Sequence, residues 1–279
     1  MMSAYRRILV VTPTLGESRF LDKTVDSVAT QPLEIMHVLS APVERQQALQ
    51  ARFPHAHVVP DNGKLGGIYG ALNAALTQAR MSAGWDWFTY INDDDALLPG
   101  FSEVLYRHLR SAFPESVVYG DVSMIDESDR TIALVTVERN PAWIPALLQQ
   151  GISPLMQQGM LFRREIVESL GGFDSRYRLC ADLDFWLRAR AAGAGFRYYP
   201  ARVAQFRLRG GQLSADTAVT VREQEEIVRR HLPVSVSYLR KQAAFWRYRV
   251  HNLPRYLARI RARGFQTSYR LLQSGVSQP

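Results

Sequence analysis

Apolar runs alternate with amphipathic stretches at a regular rhythm along the first hundred residues. Arg7-Ile8-Leu9-Val10-Val11-Thr12-Pro13-Thr14 is an almost unbroken apolar run that ends in a loop, which predicts a buried strand. Phe20, Leu21, Val25 and Val28 then fall at helical spacing up to Gln31-Pro32. A second strand is predicted over 33–39, a helix over 42–52 and a short third strand over 57–59. After a turn at Asp61-Asn62-Gly63-Lys64 and the pair Gly66-Gly67, Ile68, Leu72 and Leu76 form a helical stripe, and Trp87 to Ile91 predicts a fourth strand. Strand alternating with helix in this way predicts an α/β fold with a mostly parallel sheet and helices on both faces. The loops after the first, third and fourth strands then converge at one edge.

The second half is less regular. Strands are predicted over 117–121 and 131–137, a helix over 141–150, and a loop running into a strand over 154–162. Gly171-Gly172-Phe173-Asp174 is a tight turn, because glycine takes backbone conformations other residues resist. Leu183, Trp186, Leu187 and Arg190 share one helical face. From about Thr217 the pattern is helical again, with aromatics and arginines interleaved and a break at Pro254.

Composition adds one decisive asymmetry. Of 279 residues, 47% are hydrophobic and 22% charged, which is ordinary for a folded chain and excludes a disordered one. Cys180 is the sole cysteine, so no internal disulfide framework exists, in keeping with a reducing compartment. The first residues carry no secretory signal pattern, and no run approaches the roughly 18 apolar residues of a membrane span. A cytoplasmic location is expected, with peripheral attachment to the inner face of the membrane as an addition. The net charge of +8 is concentrated: residues 227–279 hold eleven basic residues and no acidic one, which leaves the rest of the chain at −3. A basic amphipathic tail with aromatics suits an anionic membrane surface, a nucleic acid or a dimer interface. The net acidic body speaks against nucleic acid.

The candidate chemistry centres on Tyr90-Ile91-Asn92-Asp93-Asp94-Asp95-Ala96-Leu97-Leu98-Pro99-Gly100. Three adjacent carboxylates follow a buried strand and precede a turn, at the strand end where open α/β sheets bind ligands. Adjacent carboxylates repel, and desolvation sharpens the conflict. A hard divalent cation relieves it, and one that also holds a diphosphate gives it a use. The alternative is a solvated acidic turn that caps the next helix. Asp182 and Asp184 stand two apart, so on a helix they point to nearly opposite sides. Asp182 lies at the helix start, where it serves either as a base aimed into a cleft or as an N-cap.

TPTLGE followed by a helix, GIYGALNAAL, YINDDDALLPGF, YGDVSMID and GGFDSRYRLCADLDFWLRA occur in an order that resembles the family 2 glycosyltransferases, over roughly Ile8 to Ser214. The resemblance implies a GT-A-type fold: a 1–215 glycosyltransferase domain, with 1–100 binding the nucleotide sugar and 101–215 the acceptor, and a basic helical extension over 216–279. It implies an inverting, metal-dependent transfer of a sugar from a nucleoside diphosphate sugar to a hydroxyl of a glycan or lipid-linked acceptor, in cell-surface polysaccharide assembly. Thr12, Pro13, Thr14, Glu17, Asp61, Lys64, Tyr69, Asn73, Asp93 and Asp94 match donor-binding positions, and Arg207 and Arg209, with Gly210, Gly211 and Ser214, a late segment over the diphosphate. Asp93 and Asp95 match the positions holding Mn2+ or Mg2+, Asp182 the catalytic base, and Gln157, Gln158, Asp121 and Asp184 the acceptor side. Asn73 also reads as a surface amide, Tyr69 as core, Glu17 as a helix-start acid, and Asp184 as structural. The chain departs from the family after the second strand: Val38-Leu39-Ser40-Ala41-Pro42-Val43 has no carboxylate before Glu44, where relatives hold the base. UDP is expected ahead of GDP and dTDP, and a homodimer is a further expectation. A nucleotidyltransferase would need a Gly-rich basic loop after the first strand, which TPTLGES is not. The remaining rival is a catalytically silent protein of the same fold whose basic tail binds a partner or membrane.

Overall fold

The computed structural model describes residues 7–61, 66–81, 84–135, 137–212 and 216–257. Lys64, Ser214 and the arginines beyond 257 lie outside the described residues. At the centre of the sheet is β1 (Arg7–Pro13), paired in parallel with β2 (Glu34–Ala41) on one side and β4 (Trp87–Tyr90) on the other. β3 (His57–Pro60) extends the parallel run beyond β2. Every β1 residue from Ile8 to Pro13 is buried. This is the physical content of its apolar run, because a parallel strand is covered on both faces. Leu9 and Val11 pack under α3 (Gly67–Met81). Ile8 and Val10 face the opposite layer, with Val28 of α1 (Leu21–Ala29) and Phe101, Val104 and Leu105 of α4 (Pro99–Arg110). α2 (Gln46–Arg52) packs at the β3 edge.

Beyond β4 the expected parallel sheet becomes mixed. β8 (Leu161–Arg163) is antiparallel to both β4 and β6 (Val117–Ile125), while β9 (Phe196–Arg207) runs parallel to β6. β5 (Ala96–Leu97) closes the edge against β9, and β7 (Thr131–Leu134) pairs with β6. The order is β3-β2-β1-β4-β8-β6-β9-β5. Parallel neighbours need a crossover connection. The chain instead reaches β8 from β6 through β7 and α5 (Ile144–Leu148), with no such crossover between them.

β9 is the longest strand and is absent from the predicted elements. Pro200, Arg197, Arg202 and Gln205 interrupt its alternation, and its pairing with β6 shifts register at Asp121, next to Gly120. Gly100 has a packing role beyond its turn: a Cβ there would collide with the Arg202 carbonyl of β9. α6 (Arg164–Leu170) and α7 (Ala181–Ala191) follow, and α8 (Thr217–His231) packs on α7. Ile227 of α8 is fully buried in the same core cluster as Leu9 and Phe185. The first helix of the predicted extension is thereby part of the core. α9 (Tyr238–His251) lies against α5 through Ala244 and Tyr248.

Candidate active site

The loops after β1 and β4 meet as expected. Thr14 Oγ1 donates to Asp93 Oδ2 at 2.6 Å, and Ser18 Oγ donates to the Asp93 carbonyl at 2.9 Å. Burial, helped by the neighbouring Asp94 charge, pushes Asp93 above the ordinary carboxylate range. Asp94 Oδ2 accepts from Arg209 Nε at 2.6 Å. Leu15, Glu17, Pro42, Glu44 and Arg45 line an open groove at the ends of β1 and β2, where Glu17 is ion-paired to Arg45 at 2.7 Å. This groove holds the departure after β2, and its carboxylates come from Glu17 and Glu44 rather than from the strand end. Asp61, at the end of β3, donates its backbone N–H to the Ala41 carbonyl at 2.9 Å.

Asp95 is placed differently from its two neighbours. It is 1% exposed, with Oδ1 accepting from the Arg207 backbone N–H at 2.9 Å and Oδ2 from Gln158 Nε2 at 3.0 Å and Asn92 Nδ2 at 3.3 Å. Burial, then the Asp94 charge, raises its pKa well above the usual value. Asp95 was expected to ligate the cation; in this structure its oxygens bond inside the protein, anchoring β9 and the Gln158 loop to the acidic segment. Gln157, its neighbour, donates to the Tyr90 carbonyl. The two glutamines expected on the acceptor side therefore brace the acidic loop from below, while Gln158 Oε1 is buried with no partner among the described residues.

Asp182 sits in the first turn of α7, partly exposed. Its Oδ1 accepts from the Leu183 N–H at 2.8 Å and lies 3.4 Å from the Tyr69 hydroxyl, which also donates to the Leu179 carbonyl at 2.9 Å. Burial pushes its pKa up to about 6. The Tyr90 hydroxyl, which sequence reasoning passed over, has a pKa raised by burial and then by the charges of Asp182 and Asp95 together. Tyr90 links the two acidic centres electrostatically.

The segment that carries Asp182 is pinned from a distance. Glu223 of α8, 5% exposed, accepts the backbone N–H groups of Arg178, Leu179 and Cys180 at 2.8, 2.9 and 3.0 Å. Asn73 of α3, expected at the donor, instead holds the backbone of Phe173 by both amide atoms, at 2.8 Å each. Its amide fills the space beside Gly172, where a Cβ would stand 2.5 Å from Asn73 Oδ1. Glu223 has no local sequence signal, since it is one acid among several on a polar helix. The glycine pair was the one available pointer to the Asn73 contact.

Four other expected residues are corrected by their partners. Arg207 is 1% exposed and uses all three guanidinium nitrogens internally, on the Asp94 carbonyl at 2.8 Å, the Asp126 carbonyl at 2.9 Å and Asp129 at 2.7 Å. Its guanidinium is enclosed in the protein, unlike that of Arg209, which is one-third exposed. Asp184 lies 1% exposed between Arg188 at 2.6 Å and His231 at 2.7 Å. Asp121 is paired with Arg255 and accepts from the Tyr198 hydroxyl at 3.1 Å. Thr12 is fully buried, its hydroxyl 3.0 Å from His37 Nε2, so only its backbone faces the loop.

Among the described residues no cluster of three or more His, Cys, Asp or Glu forms a ready-made metal cage. Asp93 and Asp94 nevertheless fit a cation. They are adjacent, their hydrogen bonds among the described residues run through Oδ2, and a cation would offset the burial, and after it the Asp94 charge, that disfavours the ionised form of Asp93.

An α/β sheet with this acidic edge and a second carboxylate at the head of α7 defines a glycosyltransferase of the GT-A type. The chain belongs to glycosyl transferase family 2, whose sequence pattern matches residues 9–171. A search of curated protein sequences gave no match. Among solved structures, S. aureus TarS 1–349 in complex with UDP-GlcNAc is similar with a TM-score of 0.62 and 15% identity, over 96% of this chain and 77% of that one. The mannosyltransferase PcManGT from Pyrobaculum calidifontis, in complex with GDP-Man and Mn2+, is similar with a TM-score of 0.57 and 15% identity, over 99% of this chain and 81% of that one. At such identities the likeness establishes the fold.

Proposed function

We propose that this enzyme transfers a sugar, with inversion, from a nucleoside diphosphate sugar to a hydroxyl of a glycan or lipid-linked acceptor, using Asp182 as base. The observation that carries the reading is Asp182 itself: a partly exposed carboxylate with a pKa near 6, linked to the acidic loop through Tyr90 and to Leu179 through Tyr69. A base titrating near neutrality is both ionised and able to take a proton at working pH. Asp182 removes the acceptor hydroxyl proton as that oxygen bonds to the anomeric carbon. The bond from that carbon to the diphosphate breaks, and its electron pair leaves with the phosphate. Attack opposite the leaving group inverts the configuration.

Asp93 and Asp94 would hold the divalent cation, Mn2+ or Mg2+. The chemistry it supplies when bound is positive charge for the departing diphosphate. Arg209 adds a second positive group beside Asp94, and Asp95 keeps the loop rigid from beneath. The nucleoside fits the groove between Glu17 and Glu44, with UDP, GDP and dTDP as the donors to compare. The relatives solved with UDP-GlcNAc and with GDP-Man and Mn2+ support a nucleotide-sugar donor and a divalent cation here.

The test is thermal unfolding of the full chain with UDP-, GDP- and dTDP-sugars, each with and without Mn2+. Ligands that bind the native state alone raise the melting temperature. A metal-dependent rise with one nucleotide is expected. No rise with any of them would sink the donor site and favour a silent binding protein of the same fold.

A further inference from the structure

The outer face of α9 and of the helical stretch 253–257 that follows it carries a stripe that the transferase reading does not use. Leu239, Ala243, Trp246, Val250, Leu253 and Leu257 recur at alternating steps of four and three residues, and all six are exposed. Trp246 is 63% exposed and Leu239 80%. Large apolar side chains in this continuity are uncommon on a free surface. The inner face of the same helix is already satisfied, with Ala244 and Tyr248 packed on α5 and Arg247 paired to Glu138. Arg240 and Arg249 flank the stripe, both exposed, and neither is ion-paired among the described residues. No described helix is long and apolar enough to cross a membrane.

The spacing alone suits a partner helix, since steps of four and three make a coiled-coil seam. The charge decides against a second copy. Residues 227–279 hold eleven basic residues and no acid, so pairing two α9 helices brings the exposed Arg240 and Arg249 of one copy beside those of the other with no α9 acid between them. An anionic bilayer answers both halves of the pattern: the stripe enters the acyl boundary and the flanking cations stay at the phosphates. We infer that the outer face of α9 is a docking surface for a membrane rich in anionic lipid. This goes beyond the transferase reading and stands without it.

The experiment is sedimentation of the full chain with vesicles of phosphatidylcholine alone and of equal parts phosphatidylcholine and phosphatidylglycerol. The chain should pellet with the anionic vesicles, not with the neutral ones, and less so as salt rises. Joint replacement Trp246→Ser and Leu253→Ser should abolish pelleting. Joint replacement Arg240→Gln and Arg249→Gln should weaken it by about 30-fold. Trp246, Leu253, Arg240 and Arg249 are all exposed, so both variants should stay close to the parent melting temperature and keep the same donor-induced shift. That keeps a failure of docking separate from a failure of the donor site. Equal binding to neutral vesicles, or no binding to either, overturns the inference. So does a dimer in light scattering that Trp246→Ser dissociates, because that assigns the stripe to a second copy.

Discussion

The two halves of this enzyme hold their carboxylates in opposite ways. In the N-terminal half, β3-β2-β1-β4 run parallel and deliver their loops to one edge, so Asp93 meets Thr14 and Ser18 by topology alone. In the C-terminal half, Asp182 owes its place to residues on other helices: Glu223 of α8 holds the segment before it and Asn73 of α3 holds the turn at Phe173. The difference teaches that a strand edge brings groups together cheaply, whereas a base at a helix start must be steadied by contacts remote in sequence.

The largest expected effect separates chemistry from placement. Asp182→Asn should keep the fold and the donor-induced melting shift while transfer falls by about 1,000-fold, and full activity in that variant would end the base assignment. Next comes the contrast inside the acidic loop. Asp95→Ala leaves the buried Arg207 N–H and the Gln158 amide without their acceptor and should cost about 2–4 kcal/mol in denaturant unfolding. Asp94→Ala loses an ion pair between a buried carboxylate and a one-third exposed arginine, should cost less than Asp95→Ala, and should remove the metal-dependent donor shift. If Asp95→Ala proves harmless to folding while Asp94→Ala unfolds the chain, the two roles are reversed.

The pH profile is a gentler probe. A base must be ionised to work, and Asp182 is ionised above about 6. Transfer should be level above that pH and fall tenfold per unit below it, and a flat profile down to pH 5 would contradict the raised pKa. The smallest effect concerns Glu223. Glu223→Gln keeps an acceptor oxygen but turns an amide group toward backbone donors, so turnover should fall several-fold at an unchanged donor KM. The acid limb should also move to lower pH, because the Glu223 charge is one of the influences that raise Asp182. A loss of stability with no change in the limb would make Glu223 purely structural.

How much of this was readable from the chain follows the same division. The parallel strands, the acidic loop and the glycine turn announce themselves through local pattern, because burial on both faces and positive φ at Gly171 and Gly172 constrain neighbouring residues. β9 hides because a register shift and internal charges break its period. Arg207, Asp184, Asp121 and Asn73 all match motif positions, yet each is consumed by a partner far along the chain. Residue type declares a charge or an amide. The partner that spends it depends on packing between elements. α8 illustrates the same point, since a polar, basic-ended helix hides the buried Ile227 and Glu223 that tie it to the core.

The Glu223 clasp also has a bearing on birth order. A chain leaves the ribosome N-terminus first, so the N-terminal half has all its strands long before α8 exists. Arg178 is made 45 residues ahead of the carboxylate that grips it. A nascent chain stopped at the end of β9 therefore carries every acidic residue of the site with its base segment still unclasped. Competence to recognise a nucleotide should precede competence to use it, and α8 is the latch that closes last.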